Sequence, residues 1–253
     1  MATVTAKQSP GRSCSAAEWN ARVELAALYR AFQHYGWTDY IYTHLSARVP
    51  DEENTYLINP YGLMFDEICA SNLIKVDFDG NLVAGDYPVN DAGHLIHTAV
   101  LRPRSDVNYV LHAHTRASCA VAAMKRGLLP LSQHAMLLMN QMAYHPYALV
   151  TDEAEDCERI AEDLGRRNCM LLHNHGTLVC GRNAAEAFYL HYYLEMACKI
   201  QVDVLNSGEE LVLPDDGAVK AVARFGDEGM RLGAEGWPAL LRLLDRRYPD
   251  YKS

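Results

Sequence analysis

The sequence predicts one αβ domain in which helices pack against a mainly antiparallel sheet. Three features point there. A helix-spaced segment leads into a meander of strand-like segments, amphipathic helices then interleave with short apolar strands, and the connections are short. A doubly wound nucleotide fold is disfavoured, because no strand runs into GxGxxG and no GxxxxGK followed by Ser or Thr offers a loop for phosphate. With 253 residues, 49% of them hydrophobic and 22% charged, the chain is long enough to bury a core and has the balance of a globular protein.

Each element has a local reason. Ser15 caps a helix whose apolar positions Trp19, Val23, Ala26, Tyr29 and Phe32 recur at helical spacing until Gly36 stops it. "DYIYTHLSARVP" and "TYLINPYG" are aromatic and β-branched runs bounded by turn residues, and "IKVDFDGNLVAG" is a hairpin centred on Asp79-Gly80. "DAGHLIHTAVLR" is a helix with His94 and His97 one turn apart. "NYVLHAHT" is a strand, and "TRASCAVAAMKRG" is an Ala-rich helix closed by Gly127. The Met/Leu run in "LLPLSQHAMLLMNQMAYHPY" fits strand or loop. A charged helix follows from Asp152 to Arg167, and "CMLLHNHGTLVCG" is a strand, a polar turn and a second strand. Asn183 starts the longest amphipathic helix, to Leu205, and "GWPALLRLLDRRYP" is a last short helix after the break at Pro214 to Gly217.

The formal charge of −9, with no concentrated Lys/Arg face, argues against nucleic acid as a partner. No apolar run approaches the roughly 20 residues of a membrane span, so no membrane partner is expected. The first residues lack the apolar centre of a signal peptide. Cys14, Cys69, Cys119, Cys157, Cys169, Cys180 and Cys198 are scattered singly, which fits reduced thiols in the cytoplasm better than disulfides or a cysteine-based zinc site.

The chemistry begins at "NYVLHAHTRASC". Strand side chains alternate between faces, so His112 and His114 share one, with small Ala113 between them. Divalent transition metals favour imidazole nitrogen, and a catalytic site takes three protein ligands and keeps one position open. His175 is the best third ligand: it ends a buried strand just before Gly176, where the backbone can turn tightly. His173, two residues earlier, is the alternative. His34, His44, His145 and His191 carry a structural reading by default, and the His94/His97 pair lacks a third ligand.

Three ordered motifs, "INPYG", "VNDAGHLIHTAVLRPRSDVNYVLHAHT" and "MLLHNHGTLVCGRNAAEAFYLHYYLEMACKIQ", resemble the class II aldolase and adducin head-domain family over residues 16–208. Residues 1–15 then read as a flexible N-terminus, and 209–253 as a C-terminal extension with short helices. The resemblance implies a three-layer αβα sandwich, a homotetramer with sites between subunits, and Zn2+ or another divalent metal on His112, His114 and His175, where it polarises a ketone and stabilises an enediolate. It also implies substrate contacts from Asn59 and from the backbone at Gly62 in the "NPYG" turn.

The departures from that family bear on function. Its catalytic Glu, four residues before the histidine matched by His97, is Gly93 here, and its phosphate-binding Ser-Ser pair is Asp91 and Ala92. A carboxylate repels phosphate, which counts against a phosphorylated substrate. His134 matches the family's catalytic tyrosine and is a candidate acid or base, since an unperturbed imidazole titrates near 6.5. Asp91, His94 and Tyr61 are further candidates for the missing proton carrier. The leading function is a metal-dependent lyase for a sugar-like or hydroxy- or oxo-acid carbonyl compound, acting by aldol cleavage, decarboxylation or dehydration. The alternative is a non-catalytic, adducin-like scaffold. An iron oxygenase ranks last, because three His without a carboxylate is not the usual facial triad.

Overall fold

The computed structural model describes residues 14–147 and 154–253. The start of the predicted N-terminal segment and the first residues of the predicted Asp152 helix lie outside them.

Ser15 accepts from the Glu18 amide at 3.1 Å and opens α1 (Ala16–Tyr35), which Gly36 ends in the left-handed conformation. The meander follows as β1 (His44–Arg48), β2 (Thr55–Ile58), β3 (Ile74–Asp77) and β4 (Leu82–Ala84). Next come α2 (Asp91–Leu101), β5 (Tyr109–Ala113), α3 (Arg116–Ala122), α4 (Gln133–Met136), β6 (Met142–His145) and α5 (Ala154–Leu164). The chain closes with β7 (Cys169–Leu172), β8 (Gly176–Gly181), α6 (Ala184–Asn206), α7 (Asp216–Gly226) and α8 (Gly229–Arg247).

The strands form one eight-stranded sheet in the order β4-β3-β2-β1-β5-β8-β7-β6. The pairs are antiparallel except β6 with β7, which is parallel. Strand alternation divides the core into two layers. Leu45, Leu57, Leu111, Leu171 and Val179 face α1, α3, α6 and α8. Ile58, Val76, Val110, Met170 and Leu178 face Ile96 and Val100 of α2 and Ile160 of α5. This is a sheet with helices on both faces. No helix among the described residues is long and apolar enough to cross a membrane.

Two local expectations change. The Met/Leu run splits into α4, a 3-10 turn at Met139–Gln141 and β6. Ala135, Leu137, Leu138 and Met142 of this run are buried within the chain. The last helix is not short: α8 runs 19 residues through Pro238. Trp237, Leu240 and Leu244 join the main core, and burying that stripe offsets the hydrogen bond the proline removes.

Candidate metal centre

The register of the sheet builds the site. β1 and β5 pair so that His44 lies directly opposite His112 and Ser46 opposite Val110, all on the α2 face. His112 is the fourth residue of β5, and His114 stands just past its end. His175 arrives on the turn from β7 to β8, where Asn174 takes a positive φ of 56° and the His175 amide donates to the Leu172 carbonyl at 3.0 Å. Gly176 is required by proximity: a Cβ there would sit 2.3 Å from the Ala113 carbonyl oxygen and 2.9 Å from His114 Cδ2.

The three rings converge through their Nε2 atoms. His112 Nε2 is 2.8 Å from His114 Nε2, and His114 Nε2 is 2.9 Å from His175 Nε2. These three are the metal-competent His/Cys/Asp/Glu cluster found among the described residues. The far sides of two rings decide their tautomers. His112 Nδ1 lies 2.8 Å from the Thr177 carbonyl, which can only accept, so Nδ1 carries the proton and Nε2 a lone pair. His114 Nδ1 donates in the same way to Asp39 Oδ2 at 3.0 Å.

Burial, followed by neighbouring imidazoles, pushes His112 far below the ordinary imidazole range. Burial and His114 push His175 down to about 4. With Nδ1 of His112 and of His114 committed to acceptors, their Nε2 lone pairs face one another, and a shared cation relieves that crowding. Tetrahedral zinc with bonds of 2.0–2.1 Å would hold its nitrogens about 3.3 Å apart, within a small ring shift of the observed spacing. The donor set fits a divalent metal, for which Asp39 and the Thr177 carbonyl would be the outer partners that aim the rings.

His173, the alternative ligand, is turned away. Its Nδ1 donates to the Ala122 carbonyl at 2.7 Å and its ring stacks on Tyr144. A continued extended strand would put His173 and His175 on one face, whereas β7 ends at Leu172 and the left-handed Asn174 reverses the direction.

Beside the trio opens a cavity of about 310 Å³, lined also by Tyr42, Thr43, His44, Tyr61, Asn90, Ala92, Ile96 and Tyr147. No Lys or Arg is among these lining residues. The other predicted site residues lie elsewhere. Asn59 is buried behind the "NPYG" turn, where its Oδ1 accepts from the Tyr29 hydroxyl at 2.8 Å. Gly62, at φ 100°, follows Tyr61, whose ring reaches the cavity. Asp91 is exposed at the first turn of α2, between the lining residues Asn90 and Ala92. His134 packs on Tyr193 with ring centroids 5.2 Å apart, outside this cavity of its own chain. His94 bonds the Tyr56 hydroxyl at 2.8 Å and does not reach the cavity.

His44 is the residue that sequence reasoning passed over. Its ring stacks on His112 at 4.9 Å, lines the cavity, and places Nδ1 2.7 Å from His97 Nε2. His97 Nδ1 in turn meets the Ser46 hydroxyl. Burial pushes His44 well below the ordinary range and His97 to about 3, so both rings are neutral near pH 7. His44 and Ser46 alternate on β1 as His112 and His114 do at the end of β5, a pattern visible in the sequence. What it lacked was knowledge that the two strands are neighbours.

A helix-flanked antiparallel sheet carrying three converging imidazoles beside a small cavity defines a protein built like the class II aldolases. The sequence profile of the Class II Aldolase and Adducin N-terminal domain matches residues 23–202, and the chain belongs to this family. It is 46% identical over 240 residues to a Caulobacter vibrioides protein provisionally named as an aldolase class 2 protein, covering 94% of this chain and 93% of that one. It is 38% identical over 241 residues to alpha-adducin of Rattus norvegicus, covering 88% of this chain but 33% of adducin. A crystal structure of an aldolase II superfamily protein from Pseudomonas syringae superposes with a TM-score of 0.91 at 42% identity, covering 97% of this chain and all (100%) of that one.

Proposed function

We propose that this protein is a divalent-metal-dependent lyase acting on a small, unphosphorylated carbonyl compound of sugar-like, hydroxy-acid or oxo-acid type. The observation that carries the reading is the convergence of three Nε2 atoms at a cavity large enough for such a molecule. His112, His114 and His175 would hold the ion, zinc by the chemistry of an all-imidazole set. Its contribution when bound is to polarise a carbonyl as a Lewis acid. The chain's own residues do the rest. Asp39 and Thr177 keep the ligand rings in the metal-binding tautomer, while Tyr42, Tyr61 and Tyr147 wall the cavity and offer hydroxyls to a polyhydroxy compound. A lining without Lys or Arg disfavours a doubly charged phosphate.

The resemblance to tetrameric aldolases supports a homotetramer in which His134 serves a neighbouring copy's cavity, with Asp91 at the rim as a second candidate acid or base. The cysteines are all free thiols, which supports the cytoplasm as the compartment. Two observations favour the scaffold reading: Gly93 has no side chain to move a proton, and alpha-adducin is among the relatives.

The test is metal analysis of protein purified without chelator, followed by a screen of sugars and oxo acids with His112→Ala as the control. About one equivalent of metal per chain and turnover that vanishes in the variant are expected. Less than about a tenth of an equivalent, even after zinc reconstitution, refutes the metal site, and bound metal without turnover on any candidate favours the scaffold.

A further inference from the structure

The missing side chain at Gly93 is also a space, and His44 fills it. A Cβ built on Gly93 would lie 3.0 Å from His44 Cδ2 and 3.2 Å from its Cγ and Nε2. The imidazole therefore lies over the backbone position from which the family's carboxylate projects. Any side chain at residue 93 would have to displace a ring that is itself packed between His97 and His112.

The hydrogen-bond chain behind His44 has a direction. Ser46 is fully buried, and its hydroxyl has His97 Nδ1 as its partner and no other among the described residues. If the hydroxyl accepted from His97, its own proton would be orphaned in the core. If it donates, only acceptor capacity goes unused, which is the cheaper arrangement. Ser46 then donates to His97 Nδ1, His97 donates through Nε2–H to His44 Nδ1, and His44 is left as the Nε2–H tautomer. His44 Nε2 has no partner among the described residues, and the ring lines the cavity.

We propose that His44 presents Nε2–H as a donor to an oxygen of the substrate held beside the imidazole trio, with His97 and Ser46 as positioning residues and Gly93 as the gap that admits the ring. The inference rests on the lyase reading for the identity of the substrate, but not for the tautomer. An N–H fixed in this way stabilises negative charge developing on a carbonyl oxygen as other preorganised donors do. The carboxylate of the phosphate-using relatives is thus replaced by a group that donates, so His44 stabilises the oxygen and leaves removal of a carbon-bound proton to another residue.

The test has two arms on the full-length protein. Nitrogen-15 spectra of histidine-labelled protein, assigned with His44→Phe, should show Nε2–H at both His44 and His97, and Ser46→Ala should shift the chain toward Nδ1–H. In the second arm, zinc-loaded protein is given hydroxyacetone in D2O, and exchange of its hydroxymethyl hydrogens is followed. His44→Phe should slow exchange on the order of 10²-fold with zinc content unchanged, and Ser46→Ala should slow it less. An Nδ1–H tautomer at His44 in the unaltered protein, or full exchange in a zinc-replete His44→Phe, overturns the inference. Absence of exchange in the unaltered zinc-loaded protein overturns the lyase reading and the catalytic part of the inference with it, while the tautomer arm separately decides the hydrogen-bond chain.

Discussion

Replacing Asp39 by Ala asks how much an outer partner contributes to metal affinity. Asp39 Oδ2 accepts from His114 Nδ1 at 3.0 Å, and its side chain is 48% exposed. The carboxylate holds the His114 ring in the tautomer that leaves Nε2 free. Loss of such a partner weakens metal binding about 10- to 100-fold. Half-exposure to water places Asp39 toward the lower end, because solvent screens its charge and can replace the acceptor. An approximately 10-fold loss, or about 1.4 kcal/mol, is expected for Asp39→Ala, with Asp39→Asn in between because an amide oxygen still accepts. The assay is competition for zinc against a chromophoric chelator at pH 7, with circular dichroism to confirm the fold. A zinc affinity unchanged in Asp39→Ala would show that the His114 tautomer is set without it. A loss as large as that of His114→Ala would show that Asp39 is itself a ligand.

Two other substitutions separate neighbouring roles. His173→Ala should leave zinc stoichiometry and affinity intact while costing about 1 kcal/mol of stability, since its ring is committed to the Ala122 carbonyl; loss of zinc in equilibrium dialysis would revive it as a ligand. His191 is buried against Phe32 and Trp37, neither ring nitrogen has a hydrogen-bond partner in the structure, and burial pushes its pKa to about 3. Because that is below the unfolded value near 6.5, its share of stability is fully present above about pH 6.5 and is lost as pH falls toward 3. His191→Leu should therefore gain about 1–2 kcal/mol at pH 7 in urea unfolding and lose less than the parent between pH 6.5 and 4; a less stable variant with the same acid sensitivity contradicts this.

Much of the fold was legible because its signals are local. Ser15 and Asn183 announce helix starts through their own side chains, Gly36 announces a stop, and the β3–β4 hairpin is written in Asp79-Gly80. Strand alternation brings His112 of β5 and His114 just past its end to the same side from a window of three residues. The choice between His173 and His175 was harder to read. It depended on one residue, Asn174, adopting a left-handed conformation that any of several turns could have avoided.

The sequence alone settled which residue types could bind a metal and most of the helices and strands up to α3 and from α5 to α6, because periodicity, capping and turn chemistry act over a few neighbours. It also settled, through the resemblance its motifs carry, the family and the layered αβα plan. Only the tertiary structure decided that β1 lies beside β5 and so brings His44 onto His112, that His97 turns inward while His94 bonds Tyr56, and that the Met/Leu run and α8 close the core of their own chain. Those outcomes depend on contacts between residues far apart in the chain, where the free energy of packing whole faces together outweighs the local preferences a short window can express.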